Sequence, residues 1–205
     1  MPSDEQLMRD ALRLAKRARG ETSPNPLVGA VLAKRGNIIG RGWHRRAGLP
    51  HAEVEVIADA KRKGNPTKGA TLYVTLEPCS TSGRTPPCTH AIIRAGVSRV
   101  VVAATDPNPE HAGRAFQWLK RKGIAVEHGL LAEQAAEINV AFNHWITVGL
   151  SFVTVKASMT PQQAIEPLLK TPQLWCSPDV MAVKIPSGAV AFPYVLLPQQ
   201  RASPA

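Results

Sequence analysis

One histidine and two cysteines of this chain are residue types that bind zinc well, and a glutamate lies near the histidine. They occur in three short segments: His51-Ala52-Glu53, Glu77-Pro78-Cys79 and Pro86-Pro87-Cys88. One imidazole and two thiolates leave the fourth position of a tetrahedral zinc ion open to water, as in catalytic rather than structural sites. Cys176 lies in a proline-rich segment and is a poor fourth ligand. The sequence therefore predicts a catalytic Zn²⁺ site held by His51, Cys79 and Cys88.

Glu53 is the candidate proton carrier of this site. Inside a helix, residues two apart point to opposite sides, but the first residue of a helix can be non-helical, so His51 and Glu53 can face one pocket at a helix start. A carboxylate beside a zinc-coordinated water can take up a proton and pass it on. Plainer interpretations stay open: a first-turn carboxylate that stabilises the helix dipole, a structural histidine and ordinary buried thiols.

Residues 1–160 alternate between helical and extended hydrophobic patterns, in the order α-β-β-α-β-α-β-α-β-α. The predicted elements are a helix after a Ser3/Gln6 capping box, strands 28–34 and 38–43, helix 51–63, strand 70–76, helix 86–95, strand 97–104, helix 112–122, strand 124–128 and helix 132–148. A hairpin followed by crossovers predicts an α/β fold in three layers, α/β/α, with a mixed five-stranded sheet. Ligands of such sheets bind beyond the carboxyl ends of parallel strands, which singles out loops 77–88 and 105–111.

The chain is strongly basic, with 25 basic and 15 acidic residues and a net charge of +10. Nucleic acid and a small phosphorylated substrate both suit this charge. Only 5% of the residues are aromatic and the basic runs are short, so we expect the small substrate and no nucleic acid.

No apolar run is long enough to cross a membrane, and the N-terminus lacks a secretory pattern. The number of cysteines is odd, which argues against a framework of disulfide bonds. Together, these three observations predict a cytoplasmic protein.

The composition changes near residue 160. Residues 161–205 contain 8 of the 18 prolines and only five charged residues. Proline at this density excludes long helices and central strands, which predicts an irregular Pro-rich C-terminal tail.

The HAE segment at 51–53 and Pro78-Cys79 resemble the H-x-E and P-C-x-x-C signature of zinc deaminases with a cytidine deaminase-like fold. Eight residues separate Cys79 from Cys88 instead of two. This longer loop resembles that of the riboflavin-biosynthesis pyrimidine deaminases, the N-terminal half of a bacterial bifunctional deaminase/reductase. The resemblance to this family extends over about residues 4–160. Four further segments carry it: SPNPLVG at 23–29, GWHRRAG at 42–48, TLEPC at 75–79 and DPNP at 106–109.

The resemblance implies hydrolytic deamination of 2,5-diamino-6-ribosylamino-4(3H)-pyrimidinone 5′-phosphate, in which oxygen replaces the exocyclic amine and ammonia leaves. It also implies Zn²⁺ as cofactor, His51, Cys79 and Cys88 as its ligands, and Glu53 as the proton shuttle. Residues at matching positions are implied to contact the substrate: Asn25 and His44 near the base, Arg84 near the phosphate, and Asp106 and Asn108 on the ribose side. An anionic substrate agrees with the positive charge of the chain.

The chain departs from this family in several places. Thr81 stands where the family often has histidine, Ala115 where glycine is common, and the sequence after Thr160 leaves the family's reductase pattern. Residues 161–205 are too few for a nucleotide-binding domain, and no G-x-G-x-x-G occurs. We therefore predict a zinc-dependent deaminase domain at 1–150 and, at 151–205, a remnant of the linker and reductase start without reductase activity. A separate reductase would then catalyse the next step.

Three alternatives remain at this point. The chain could deaminate another base or nucleotide, it could be an inactive zinc-binding remnant, or it could be a basic RNA-binding module with a structural zinc. Whether it forms a homo-oligomer is also open.

Overall fold

Five strands form one mixed sheet in the part of the chain that the computed structural model describes, residues 2–81, 86–109, 111–150 and 152. The strands are β1 Gly29–Lys34, β2 Asn37–Trp43, β3 Thr71–Leu76, β4 Arg99–Ala104 and β5 Ala125–His128. Their order across the sheet is β2-β1-β3-β4-β5. β1 pairs antiparallel with β2 and β3, whereas β3, β4 and β5 run parallel. The expected mixed sheet with an N-terminal hairpin is confirmed.

Helices cover both faces of the sheet. They are α1 Asp4–Ala15, α2 Ala52–Arg62, α3 Cys88–Arg94, α4 Arg114–Arg121, α5 Ala132–Ile138 and α6 Val140–Val148, with a short 3₁₀ turn at Lys16–Ala18. The apolar side chains of α2, α3 and α4 share one core with the sheet, and those of α1 and α5 share another. This is the predicted three-layer α/β/α arrangement. None of the helices in the described ranges has the length and hydrophobicity needed to cross a membrane.

β4 is buried on both faces, as its uninterrupted apolar run predicts. Val100 and Val102 lie in the core formed with α2, α3 and α4, whereas Val101 and Ala103 lie in the core formed with α1 and α5. β4 therefore contributes side chains to both cores, and at its carboxyl end the chain enters the loop that contains Asp106.

Most predicted elements are present with shorter ends, and one is wrong. The capping box of α1 is confirmed, since the Gln6 N–H donates to Ser3 Oγ and the Ser3 N–H donates to Gln6 Oε1. The single helix predicted over 132–148 is instead two helices, α5 and α6, which meet at Asn139. Asn139 has φ −115° and ψ 21°, outside the helical range, and its side chain bonds to the backbone of Leu27.

Helix α2 lies unusually close to β2, and two glycines make this possible. A Cβ atom at Gly42 would come within 2.4 Å of the Val56 backbone nitrogen, and one at Gly40 within 2.6 Å of the Val56 carbonyl oxygen. Real Cβ atoms do not approach backbone this closely, so neither position accepts a side chain without a shift of the helix. The two glycines thus set the depth at which the start of α2, with His51 and Glu53, meets the sheet.

A partly exposed ionic network ties α1 to the sheet. The Asp4 carboxylate accepts hydrogen bonds from Tyr73 Oη at 2.6 Å and Arg99 Nη2 at 2.5 Å, and Arg99 also pairs with Glu127. The hydrogen bond from Arg99, followed by that from Tyr73, lowers the pKa of Asp4 below its ordinary value. Burial, and then the hydrogen bond to Asp4, raises the pKa of Tyr73 to about 12.

Replacing Gly42 by alanine is expected to destabilise the fold, since the added methyl group meets backbone atoms of α2. Overpacking of this kind costs about 1–3 kcal/mol. Urea unfolding of Gly42→Ala measures the loss. Arg41→Ala, at the adjacent exposed position of β2, is the control and should stay within about 0.5 kcal/mol of the parent chain. Equal stabilities of Gly42→Ala and the parent would contradict the close contact.

Asp4→Asn is expected to lower stability at neutral pH by a few tenths to about 1 kcal/mol, the range for partly exposed ion pairs. A carboxyl whose pKa is lower in the folded chain stabilises it above the unfolded pKa, and this contribution disappears as the pH falls through the folded value. Urea midpoints of the two proteins should therefore converge below about pH 4. Asp10→Asn, which removes a pair with the exposed Arg13, is the control. A difference independent of pH would refute this account.

Candidate active site

His51, Cys79 and Cys88 lie together, although the first and the last are 37 positions apart in sequence. Their ligand atoms all lie within 4.8 Å of one another. His51 Nδ1 is 3.2 Å from Cys88 Sγ and 3.7 Å from Cys79 Sγ. An imidazole nitrogen and two sulfurs at these separations form a donor set that fits zinc, with room for a fourth ligand. The predicted grouping of these three residues is therefore present in the fold.

Each of these residues occupies the end of a secondary-structure element. Cys79 follows β3 in the loop beyond its carboxyl end, His51 is the residue before the first turn of α2, and Cys88 begins α3. His51 has an extended backbone, with φ −72° and ψ 163°, so it and Glu53 face the same cavity as the sequence predicts. The Cys88 N–H donates a hydrogen bond to Cys79 Sγ at 3.2 Å, which joins the two cysteines through the start of α3.

The protein groups of this cluster share charge and protons among themselves. The hydrogen bond from the Cys88 thiol, and then that from His51, lowers the pKa of Cys79 to about 4. The hydrogen bond to Cys79, followed by burial, raises the pKa of the Cys88 thiol. Its hydrogen bond to Cys79 raises the pKa of His51. Cys79 is thus the sulfur that most readily becomes a thiolate, which is the form that binds metals.

Glu53 is a buried acid beside the cluster, with only 3% of its surface exposed. Burial, and then the negative charge of Cys79, raises the pKa of its carboxyl to about 7. Such a carboxyl can hold and release a proton near neutral pH, which is what general acid and base catalysis requires.

A cavity of about 160 Å³ opens next to the cluster. It is smaller than typical ligand pockets of about 300–1,000 Å³, so it has room for about one planar ring but not for a whole nucleotide. The lining includes three of the five residues predicted to contact substrate, Asn25, His44 and Asp106. The other lining residues are Pro26, Val28, His51, Glu53, Leu76, Glu77, Cys79 and Phe142.

Asn25 and His44 form a hydrogen-bonded chain along the cavity wall. Asn25 Nδ2 lies 3.1 Å from His44 Nε2, and His44 Nδ1 lies 3.1 Å from the carbonyl oxygen of Pro50. Because that carbonyl only accepts, Nδ1 carries the proton and Nε2 accepts from the Asn25 amide. Burial lowers the pKa of His44, which agrees with this neutral form.

The other two predicted substrate residues are placed differently. Asn108 is not among the residues that line the cavity, and its N–H donates to Asp106 Oδ1 at 2.8 Å within a tight turn. Asp106 thus makes that turn as well as lining the cavity. Arg84 lies in segment 82–85, outside the described residues, as does the predicted tail.

Glu77 has a role that the sequence reasoning missed. Its side chain is 6% exposed and accepts the N–H groups of Asp106 at 3.2 Å, Gly113 at 2.9 Å and Ala115 at 3.1 Å. It therefore holds the loop after β4 and the start of α4 against the loop of Cys79. A carboxylate directly after a buried strand, where helix starts supply free N–H groups, was the available signal.

Phe142 and Asn139 were also missed. The helical pattern predicts Phe142 as a core or interface residue, yet it lines the cavity. Asn139 is 4% exposed and bonds to the backbone of Leu27. A polar residue in an apolar helical pattern was the only sequence signal for it.

Comparison with known proteins identifies the same region. The family model of the cytidine and deoxycytidylate deaminase zinc-binding region matches residues 1–104. The riboflavin biosynthesis protein RibD of Aquifex aeolicus is 51% identical over 157 residues, and that of Escherichia coli 50% over 153 residues. These alignments cover 77% and 75% of this chain but 43% and 41% of the relatives, so the chain spans about two fifths of their length.

Solved structures agree with this comparison. RibD of Acinetobacter baumannii superposes with a TM-score of 0.68 at 47% identity, over 71% of this chain and 40% of that protein. A diaminohydroxyphosphoribosylaminopyrimidine deaminase/5-amino-6-(5-phosphoribosylamino)uracil reductase of Thermotoga maritima gives 0.67 at 44% identity, over 70% and 41%. A guanine deaminase of Nitrosomonas europaea, 22% identical with a TM-score of 0.57 over 70% and 86%, shares the fold.

The matched region includes the sheet edge at which His51, Glu53, Cys79 and Cys88 meet. By this match the chain belongs to the deaminase family defined by the cytidine and deoxycytidylate deaminase zinc-binding region.

Proposed function

We propose that this chain is the zinc-dependent deaminase of riboflavin biosynthesis that acts on 2,5-diamino-6-ribosylamino-4(3H)-pyrimidinone 5′-phosphate. Water supplies the oxygen that replaces the exocyclic amine, and ammonia leaves, giving 5-amino-6-ribosylamino-pyrimidinedione 5′-phosphate. The observation that carries the proposal is the cavity in which buried Glu53 lies beside the three converging ligand atoms. The names of the relatives, which are about half identical to this chain, support the substrate.

In this proposal His51, Cys79 and Cys88 bind the zinc ion. The mixed imidazole and sulfur donor set, with ligand atoms within 4.8 Å, suits Zn²⁺ and leaves one position for water. A zinc ion, when bound, acts as a Lewis acid and makes water a stronger nucleophile near neutral pH. The hydrogen bond from the Cys88 N–H holds Cys79 Sγ in position for this role.

Glu53 is the proposed proton shuttle. Its carboxylate would accept a proton from the attacking water and deliver it to the ring nitrogen. It would then take the second proton from the newly added hydroxyl and deliver it to the amine, which leaves as ammonia as the carbonyl forms. The side chain of Glu53 is shielded from bulk solvent, since it is only 3% exposed. Shielding of this kind strengthens its electrostatic interactions with a bound substrate.

Asn25 and His44 are the proposed contacts of the pyrimidine ring. An asparagine amide can both donate and accept, which suits the edge of an aminopyrimidinone. The cavity of about 160 Å³ fits one ring, so the ribose and phosphate would extend past Asp106 toward solvent. Arg84 at the phosphate and Asn108 at the ribose stay as predictions.

The proposal extends to the setting of the reaction. Residues 1–150 would be the deaminase domain, 151–205 a remnant without a reductase, and a separate reductase would consume the product. We propose a cytoplasmic location, since the cysteines at the site are free thiols of the kind that reducing compartments maintain.

The direct test is ammonia release by the purified full chain from the pyrimidinone phosphate. We expect ammonia in step with substrate loss, its disappearance after zinc is removed by a chelator, and its recovery when zinc is restored. Cytidine and guanine are the comparison substrates. Turnover of either of these in place of the phosphorylated pyrimidinone would identify a different deaminase, and bound zinc without any ammonia would indicate an inactive remnant.

Cys88→Ala should remove one of three zinc ligands and weaken zinc binding by about 100-fold or more, since even residues that only support ligands account for 10–100-fold. Metal analysis after dialysis measures bound zinc, and thermal unfolding measures the accompanying loss of stability. Cys176→Ala is the matched control and should retain zinc. Full zinc content in Cys88→Ala would refute the assignment.

Glu53→Gln should retain zinc and lose turnover by about 10²–10⁴-fold, the usual effect of removing a general acid or base. The amide has the same shape but neither takes up nor releases a proton near neutral pH. Glu55→Gln, in the same turn of α2 but paired with Arg45, is the control and should stay active. A near-parental rate for Glu53→Gln with zinc bound would exclude the shuttle role.

A further inference from the structure

The corner between α5 and α6 holds a distant part of the cavity wall through one side chain. Asn139 Oδ1 accepts the Leu27 N–H at 2.7 Å, and Asn139 Nδ2 donates to the Leu27 carbonyl oxygen at 2.9 Å. The two residues are 112 positions apart in sequence. One side-chain amide thus satisfies both backbone hydrogen-bonding groups of a single residue, as a paired strand would.

Leu27 lies within the segment that forms the wall around the substrate ring. Asn25, Pro26 and Val28 all line the cavity. Leu27 points its own side chain into a small core with Ala15 and Ala18, so its backbone is buried with it. Buried backbone groups without partners are strongly disfavoured, so loss of Asn139 would force this segment to move or admit water.

Asn139 also determines the position of a second wall. It ends α5 and precedes α6, and the helix break there sets the direction in which α6 starts. Phe142, in the first turn of α6, lines the same cavity as Asn25. Asn139 therefore connects the segment that contains Asn25 to the helix start that contains Phe142.

We infer that Asn139 is a positioning residue for substrate: by clamping Leu27 at the α5–α6 corner, it holds Asn25 in the orientation that receives the pyrimidine ring. This inference rests on the proposed function for its substrate. Asn139 is not among the lining residues, so it acts through Asn25 and the wall segment. A shift of about 1 Å in such a group can reduce the rate about 100-fold.

The kinetic test is a double-mutant cycle in the full chain with zinc bound. Asn139→Ala should lower kcat/KM for the pyrimidinone phosphate by about 10–100-fold with zinc content retained. In an Asn25→Ala background the same change should cost less than about threefold, since the residue through which it acts is gone. The control is Asn65→Ala, because the Asn65 side chain also donates to a backbone carbonyl, that of Ile39, but does not line the cavity. Independent, additive losses would overturn the inference.

A spectroscopic test does not depend on activity. In protein labelled with ¹⁵N-asparagine, the side-chain amide signal of Asn25 should shift or broaden in Asn139→Ala and stay unchanged in Asn65→Ala. An unchanged Asn25 signal in Asn139→Ala would overturn the inference. If the parent chain has no deaminase activity but the signal shifts, the proposed function fails while the positioning role stands. Should Asn139→Ala not fold, Asn139→Asp serves in its place with the same expected shift, since a carboxylate can accept from the Leu27 N–H but cannot donate to the Leu27 carbonyl oxygen.

Discussion

The parallel pairing of β3 and β4 is the constraint on which the rest of the site depends. Parallel neighbours end at the same edge of a sheet, so the loops after β3 and β4 meet there. Glu77 makes this meeting rigid, because its carboxylate binds N–H groups from the loop after β4 and from the start of α4. Cys79, two residues later, thereby has a fixed position relative to Asp106.

The other half of the site approaches from α2. The glycines of β2 let this helix lie close to the sheet, and its start brings His51 and Glu53 to the edge where Cys79 and Cys88 lie. The three residues that could hold a metal ion thus come from two helix starts and one strand end, which are rigid parts of the fold. Rigid support of this kind holds ligands at the separations that a metal requires.

The metal ligand cluster was predictable because its residue types are unusual together and each stands at an element boundary. The layers and sheet were predictable for a similar reason: the buried run of β4 and the hairpin before α2 leave few topologies.

Asn139 was not predictable, since an asparagine in a helical pattern gives no indication of a partner 112 residues away. The position of Phe142 in the cavity wall was not predictable either. Helical periodicity identifies which side chains face inward, but it does not distinguish a core residue from one that lines a cavity. Asp106 and Asn108 were ambiguous in sequence, since one motif can form a turn or bind a ligand, and Asp106 does form the turn with Asn108.

The hydrogen-bonded chain from Asn25 through His44 to Pro50 has a mechanical consequence. The carbonyl oxygen that accepts from His44 belongs to the peptide bond that leads directly into His51. A rotation of the Asn25 amide that moves the His44 ring therefore acts on the peptide bond that precedes His51. The orientations of the Asn25 amide and the His51 imidazole are thus coupled through one backbone link.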